Sequence, residues 1–230
     1  MRRQFLSLLP ALVLASLGIA PAAQAQDAAS FPNKPIRLIV PVPPGGAADG
    51  MARLVADHLQ AKWGQPVLVD NKPGAASAVG LGLLAKAPAD GYTIGMGNIA
   101  ANAINPALQP ANFPFHPVKD FAAISLIGVT PLILVVNAEK VPARTVPEFI
   151  AYLKANPGKI AYGSSGTGSS LHIGMELFLQ KTGTTMLHVP YKGSAPMMTD
   201  LLGGQVVASM DAATTSWPQV QAGKLRALGV

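Results

Sequence analysis

The chain has 230 residues, half of them hydrophobic, with 17 Lys+Arg against 11 Asp+Glu and no cysteine. Without thiols there can be no disulfide staples, thiolate metal sites or cysteine nucleophile, so stability has to come from apolar burial. Beyond Arg2-Arg3 the basic excess is scattered, which gives nucleic-acid binding little support and leaves a surface that draws small anions weakly.

Arg2 and Arg3 precede an apolar run from Leu6 to Ala20, and Ala23-Gln24-Ala25 follows as an A-x-A cleavage pattern. Residues 1–25 therefore read as a secretory signal peptide cleaved after Ala25, which places the mature protein outside the cytoplasm. The run is shorter than the roughly 20 residues of a spanning helix, so a membrane anchor is the weaker alternative. Losing Arg2 and Arg3 leaves 15 basic against 11 acidic residues, a formal charge of +4 over about 205 residues, enough for one or two domains with ample cores.

The mature chain repeats one pattern. In the first block IRLIV (36–40) reads as a strand and PVPPGGAADG as a turn; Met51, Leu54, Val55 and Leu59 then mark a helix face. PVLVD, the turn NKPGAAS, a helix over about 77–86, the turn PADG and the strand YTIGM complete it. Residues 124–137, ISLIGVTPLILVVN, look like one or two strands crossing between lobes. A helix follows with Thr145 as N-cap, Pro147 early, Glu148 at the third helical position and Gly158 as the stop. In the second block KIAYG is a strand, SSGTGSS a turn, and Leu171, Met175, Phe178 and Leu179 a helix face. TMLHV, PYKGSAP, a helix over about 197–202, GGQ and VVASM complete it, and KLRALGV starts a further strand. Both blocks are β-loop-α-β-loop-α-β, which predicts the α/β class with parallel sheets in two lobes. A domain seldom stops in mid-strand, so the chain is expected to be a shortened version of a longer one.

Ligand crevices of open α/β sheets lie beyond the carboxyl ends of the strands. That rule selects loops 43–47, 71–77, 97–99, 163–169, 191–195 and 210–213. PPGG and SSGTGSS combine glycine with free backbone N–H groups at a helix N-terminus, a ready anion site. The plain alternative is that Gly45 and Gly46 only permit a tight turn and that Ser164, Ser165 or Ser169 only caps a helix. Their equivalent placement in two repeated blocks favours a ligand. Neither loop carries the Gly-Lys-Ser/Thr ending of a phosphate loop, and Gly95 to Ala100 fits G-x-G-x-x-A only superficially.

Asp49 sits in the first turn of its helix, where it either stabilises the dipole or meets an amino or hydroxyl group of a ligand. Asn98 and Asp211 each follow the third strand of a block; both are candidate cleft residues, with turn capping as the alternative. Lys192 could pair with a carboxylate or be solvated. The four histidines, His58, His116, His172 and His188, show no metal-ligand spacing. Ser165 or Ser169 with His172 or His188 could form a nucleophile–base pair, but G-x-S-x-G is absent.

The ordered blocks FPNKPIRLIVPVPPGGAADGMARLVADHL, GQPVLVDNKPGA, ADGYTIGMGN, FHPVKDFAAISLI, KIAYGSSGTGSSLH, HVPYKGSAPMMTDLLGGQV and GKLRALGV resemble the Bug family of tripartite tricarboxylate transporter substrate-binding proteins. The resemblance implies a periplasmic-binding-protein-like receptor of type II, Venus-flytrap form. In it lobe 1 spans 26–126, lobe 2 spans 127–225, and 226–230 starts a return into lobe 1, whose C-terminal part is missing. It further implies a monomer, with no enzymatic activity, metal, cofactor or nucleic-acid partner, that hands a small carboxylate to membrane transporter subunits. A sensor docking on a signalling receptor and, less favoured, an exported serine hydrolase are the alternatives. Carried over by position, the ligand residues are Pro43, Gly45, Gly46, Ala47 and Asp49 in the first loop; Ser164, Ser165, Gly166, Thr167, Gly168 and Ser169 in the second; and Asn98 and Asp211 at the cleft border. Family members commonly carry a Thr-Asn-Gly-Thr-like turn where this chain has Gly97-Asn98-Ile99-Ala100.

Overall fold

Ile36, Leu38, Ile39 and Val40 are almost completely buried, and only Arg37 interrupts the run, as befits a strand covered on both faces. In the computed structural model, which describes residues 30–108, 110 and 113–230, this strand (β1, Ile36–Val40) lies between two parallel neighbours. They are β2 (Val67–Asn71) and β3 (Thr93–Gly95), giving the order β2-β1-β3. Helix α1 (Ala47–Trp63) packs Ala52 and Ala56 onto this sheet and stops at Gly64, which supplies the left-handed φ of +66° that a helix C-terminus favours. Helix α2 (Ala78–Ala85) leads into β3. Its Gly80 approaches so closely that an added Cβ would meet Pro41 at 2.8 Å. A π-type turn at Ala100–Ile104 runs into the short α3 (Asn105–Leu108).

The second block repeats this winding. Strands β5 (Ala161–Ser164), β6 (Leu187–Pro190) and β7 (Ala208–Ala212) are parallel in the order β6-β5-β7, the counterpart of β2-β1-β3. Helix α5 (Ser170–Thr182) follows β5 and α6 (Ser194–Leu202) follows β6. The sheet is extended by β4 (Leu132–Asn137), antiparallel to β7, and by the edge strand β8 (Leu225–Gly229), antiparallel to β4. Along β4 the side chains alternate: Leu134 and Val136 join Phe149, Tyr162 and Met175 in one core, while Ile133 and Val135 join Met197 and Leu201 in another. Helix α4 (Val146–Ala155) begins as expected at Thr145, whose Oγ1 accepts from the Glu148 amide.

Three expectations change. Residues 226–230 do not start a return into lobe 1, because Leu225–Gly229 is the edge strand of the second sheet. The Arg226 guanidinium holds it there by donating to the carbonyls of Ala138, Val141 and Ala143. Residues 121–131 carry no regular structure, so only the 132–137 part of the expected crossing strands forms. Helix α7 (Ala213–Gln221), packed through Ala213 and Val220, fills a stretch for which the sequence suggested no element. The expected signal peptide lies outside the described residues. Among those residues no helix is long and apolar enough to cross a membrane.

Candidate functional site

The turn after β1 is held from inside its own lobe. Asp49, 3% exposed, accepts at Oδ2 from the Gly45 amide (3.0 Å) and Arg53 Nε (2.9 Å), and at Oδ1 from Asn71 Nδ2 (2.9 Å) and Arg53 Nη2 (3.2 Å). Asn71 also donates to the Val42 carbonyl, tying the end of β2 to the same turn. Burial alone would push the Asp49 carboxyl up, but the donors Arg53, Gly45 and Asn71 outweigh it and hold it below the ordinary carboxylate range. Asp49 thus shapes the loop, and its acceptors are taken. Gly45, at φ +88°, commits its amide to Asp49, whereas the amides of Gly46, Ala47 and Ala48 find no acceptor among the described residues.

The turn after β5 is built the same way with different groups. Ser164, fully buried, accepts at Oγ from the Gly166 amide (3.2 Å) and lies 2.7 Å from His188 Nε2. The Gly168 amide donates to His172 Nδ1 (3.1 Å), the Ser169 amide to the Gly166 carbonyl, and Ser169 Oγ caps α5 by accepting from the His172 amide (3.2 Å). The amides of Ser165 and Thr167, between these anchors, and that of Ser170 find no acceptor among the described residues. His188 pairs with Ser164 rather than with Ser165 or Ser169, and a hydroxyl sealed under its own loop is badly placed to attack a substrate.

The two lobes meet at these turns. A Cβ added to Gly46 would lie 3.8 Å from Ser194 Cβ and one on Gly45 3.6 Å from Ala195 Cβ, so the N-terminus of α1 abuts the N-terminus of α6. Pro43 packs on Gly193, where a Cβ would stand 2.9 Å from its ring, and Asn105 of α3 crowds Gly168. Two helix N-termini, each carrying roughly half a positive charge, thus abut, and the second turn reaches the approach to α6 at Gly166, where an added Cβ would lie 3.2 Å from the Tyr191 carbonyl. Asp49 in the first turn offsets part of the charge at the α1 end, whereas α6 has no acidic residue in its first turn. Tyr191 braces the α6 end: its hydroxyl donates to Asp200 (2.7 Å), and burial with that carboxylate pushes the phenol up to about 12.

Asn98 works within its own lobe. Its Oδ1 caps Ala101, its amide donates to Asn102 Oδ1, and its Nδ2 donates to Ser77 Oγ. That last bond reaches the loop after β2, where Ala75, Ala76 and Ser77 all have positive φ, a costly backbone for residues with a Cβ. Asp211, fully buried at the end of β7, accepts at Oδ2 from Thr215 and Ser216, while its Oδ1 has no partner. Burial drives its carboxyl above the ordinary value, against the pull of Thr215, Ser216 and the Ala212 amide. Sequence reasoning missed Arg53 and Asn105, while Asn71 and the Ser194 end of α6 fall in the candidate loops 71–77 and 191–195 without having been singled out. Of these only Arg53 carried a local signal, four residues after Asp49 on one helix face.

Residues 51–230 match the family described as Tripartite tricarboxylate transporter family receptor. The chain belongs to this family, TctC. BugT of Bordetella pertussis is 39% identical over 220 residues, 95% of this chain and 66% of BugT, so the chain spans just under two thirds of that relative. A protein of R. palustris solved with adipate superposes with a TM-score of 0.82 at 35% identity, covering 86% of this chain and 66% of that one. MatC from Rhodopseudomonas palustris, solved with bound malate, gives 0.79 at 27% identity over 86% and 66%. TctC is a family of receptors, and this chain has its periplasmic-binding-protein form of two α/β lobes.

Proposed function

We propose that this TctC chain is the ligand-gripping part of a periplasmic, non-enzymatic, monomeric receptor that captures a small carboxylate between its lobes and presents it to a tripartite tricarboxylate-type transporter. The observation that carries this reading is the meeting of the α1 and α6 N-termini, one from each lobe, together with glycine turns in both lobes that keep unpartnered amides. Gly46 and Ala47 in lobe 1, and Ser165 and Thr167 in lobe 2, are the donors assigned to carboxylate oxygens. Pro43, Gly45, Asp49, Ser164, Gly166, Gly168, Ser169 and Asn98 shape the loops that present them. Asp211, sealed at the end of β7, is assigned to holding the start of α7 through Thr215 and Ser216 rather than to touching the ligand. The adipate and malate carried by two related structures support a carboxylate as the ligand class.

The energetics allow it without an arginine. Each hydrogen bond to a charged group contributes about 1.5–3 kcal/mol, and micromolar affinity requires about 8 kcal/mol net. Four to six amides meet that figure after ordering costs. Ligand at 100 times its dissociation constant stabilises by about 2.7 kcal/mol, a melting shift of roughly 5–10 °C at this size. A thermal-shift series with adipate, malate, citrate, benzoate and aspartate in which no acid moves the transition would refute the reading.

A further inference from the structure

Three rings form a stack beneath the second loop. Tyr162 on β5 stacks on its cross-strand partner His188 on β6 with centroids 4.9 Å apart, and His188 stacks on His172 of α5 at 4.1 Å, the planes within 20° throughout. Each histidine then touches the loop above it: His172 Nδ1 accepts from the Gly168 amide, and His188 Nε2 meets Ser164 Oγ, which accepts from the Gly166 amide. Gly166 and Gly168 are therefore pinned from below, and their pinning leaves the alternate amides of Ser165 and Thr167 unengaged.

The two contacts respond differently to a proton. His188 keeps an Nε2–H that can still donate to Ser164. His172 cannot keep its contact, since a proton on Nδ1 turns the acceptor into a donor facing the N–H of Gly168. The titratable groups around the pair are His188 on β6, Tyr162 on β5 and Glu176 on α5. Glu176 Oε1 accepts from the Tyr162 hydroxyl (2.6 Å) and lies 4.0 Å from His172 Nε2. Stacked imidazoles also resist becoming two adjacent cations.

We propose that His172 is the positioning residue of the ligand loop, holding Gly168 through an unprotonated Nδ1 so that mild acid frees the loop and weakens ligand binding. This rests on the carboxylate-receptor reading above. Burial, with His172 alongside, lowers the pKa of His188 and so favours the neutral form of that ring in the stack.

The test uses the whole chain, with adipate and malate as probes, and compares wild type with His172→Asn and His172→Ala. Asparagine keeps an acceptor near the Nδ1 position but does not titrate. Affinity of the wild type is expected to fall about tenfold or more from pH 7.5 to 5.5. The Asn variant should bind normally at pH 7.5 and lose much less in acid, which also controls for protonation of the acids themselves, and the Ala variant should be weak at both. In the ligand-free protein the Gly168 amide NMR resonance should titrate over the same range and become static in the Asn variant. An acid loss equal in wild type and Asn variant, or a Gly168 amide indifferent to pH, overturns the proposal. If neither acid nor any other carboxylate binds at pH 7.5, the receptor reading fails, while the Gly168 titration still decides whether His172 holds the loop.

Discussion

Asp49 Oδ2 accepts the Gly45 amide at 3.0 Å, so a buried carboxylate at the start of α1 fixes the glycine turn that precedes it. The same carboxylate is paired with Arg53 and Asn71, which makes it the keystone of the lobe 1 turn rather than an empty acceptor for a ligand.

Asp49→Ala is therefore expected to destabilise the protein by about 1–3 kcal/mol, since it leaves Arg53, Asn71 and the Gly45 amide without their shared acceptor. Because the folded-state pKa of Asp49 is depressed, its contribution is present above the unfolded-state value and disappears as pH falls through the folded one. Urea denaturation at pH 7 and pH 3 checks both points: the gap between wild type and variant should be open at pH 7 and narrow in acid.

Asp211 predicts the opposite sign. Its pKa is raised by burial, so ionisation costs the folded state increasing stability as pH climbs above the unfolded-state carboxyl value. Asp211→Asn should therefore gain relative stability at pH 8 and lose that advantage near pH 4. Matched denaturation curves at the two values would expose a wrong sign directly.

Gly168 has φ +74°, and a Cβ there would stand within van der Waals overlap of Asn105 Oδ1. Gly168→Ala should cost about 1 kcal/mol or more from the backbone alone and weaken carboxylate binding by keeping α3 off the loop. Combining it with Asn105→Ala should recover part of the binding but not the backbone cost. A double-mutant cycle on affinity measures the coupling, and strict additivity would show that the two residues do not touch in solution.

His188 is paired with buried Ser164 rather than with Ser165 or Ser169, and Ser169 Oγ caps α5, so a serine-directed phosphonate should leave the wild-type protein unlabelled. Intact-mass measurement after prolonged incubation reads the result, and a stoichiometric adduct lost in Ser165→Ala or Ser169→Ala would revive hydrolase chemistry.

Much of this architecture was legible because turn residues stand where apolar runs end: PPGG after IRLIV and SSGTGSS after KIAYG both open helices as expected. Helix α7 was not legible, since ATTSWPQVQ holds threonines and an internal Pro218. It is supported instead by Thr215 and Ser216 donating to Asp211 and to the Ala212 carbonyl. The alternation in KLRALGV marked a strand but not its sheet, a choice that Arg226 makes through carbonyls more than 80 residues away. Likewise the i,i+4 spacing that would have pointed to Arg53 beside Asp49 could not pair Asn71 with it, since Asn71 arrives from another strand.

Both lobes wind their strands in the same order, yet the turns they offer differ: Pro-Gly-Gly in lobe 1 is bare backbone, while Ser-Gly-Thr-Gly-Ser in lobe 2 brings hydroxyls with it. On the receptor reading proposed above, a symmetrical frame with unequal jaws would give a bound acid a head and a tail. A diacid with two identical ends gains nothing from that inequality, whereas one bearing a hydroxyl near a single end has a preferred direction of entry, so the repeat that builds the cleft also supplies the means to orient what fills it.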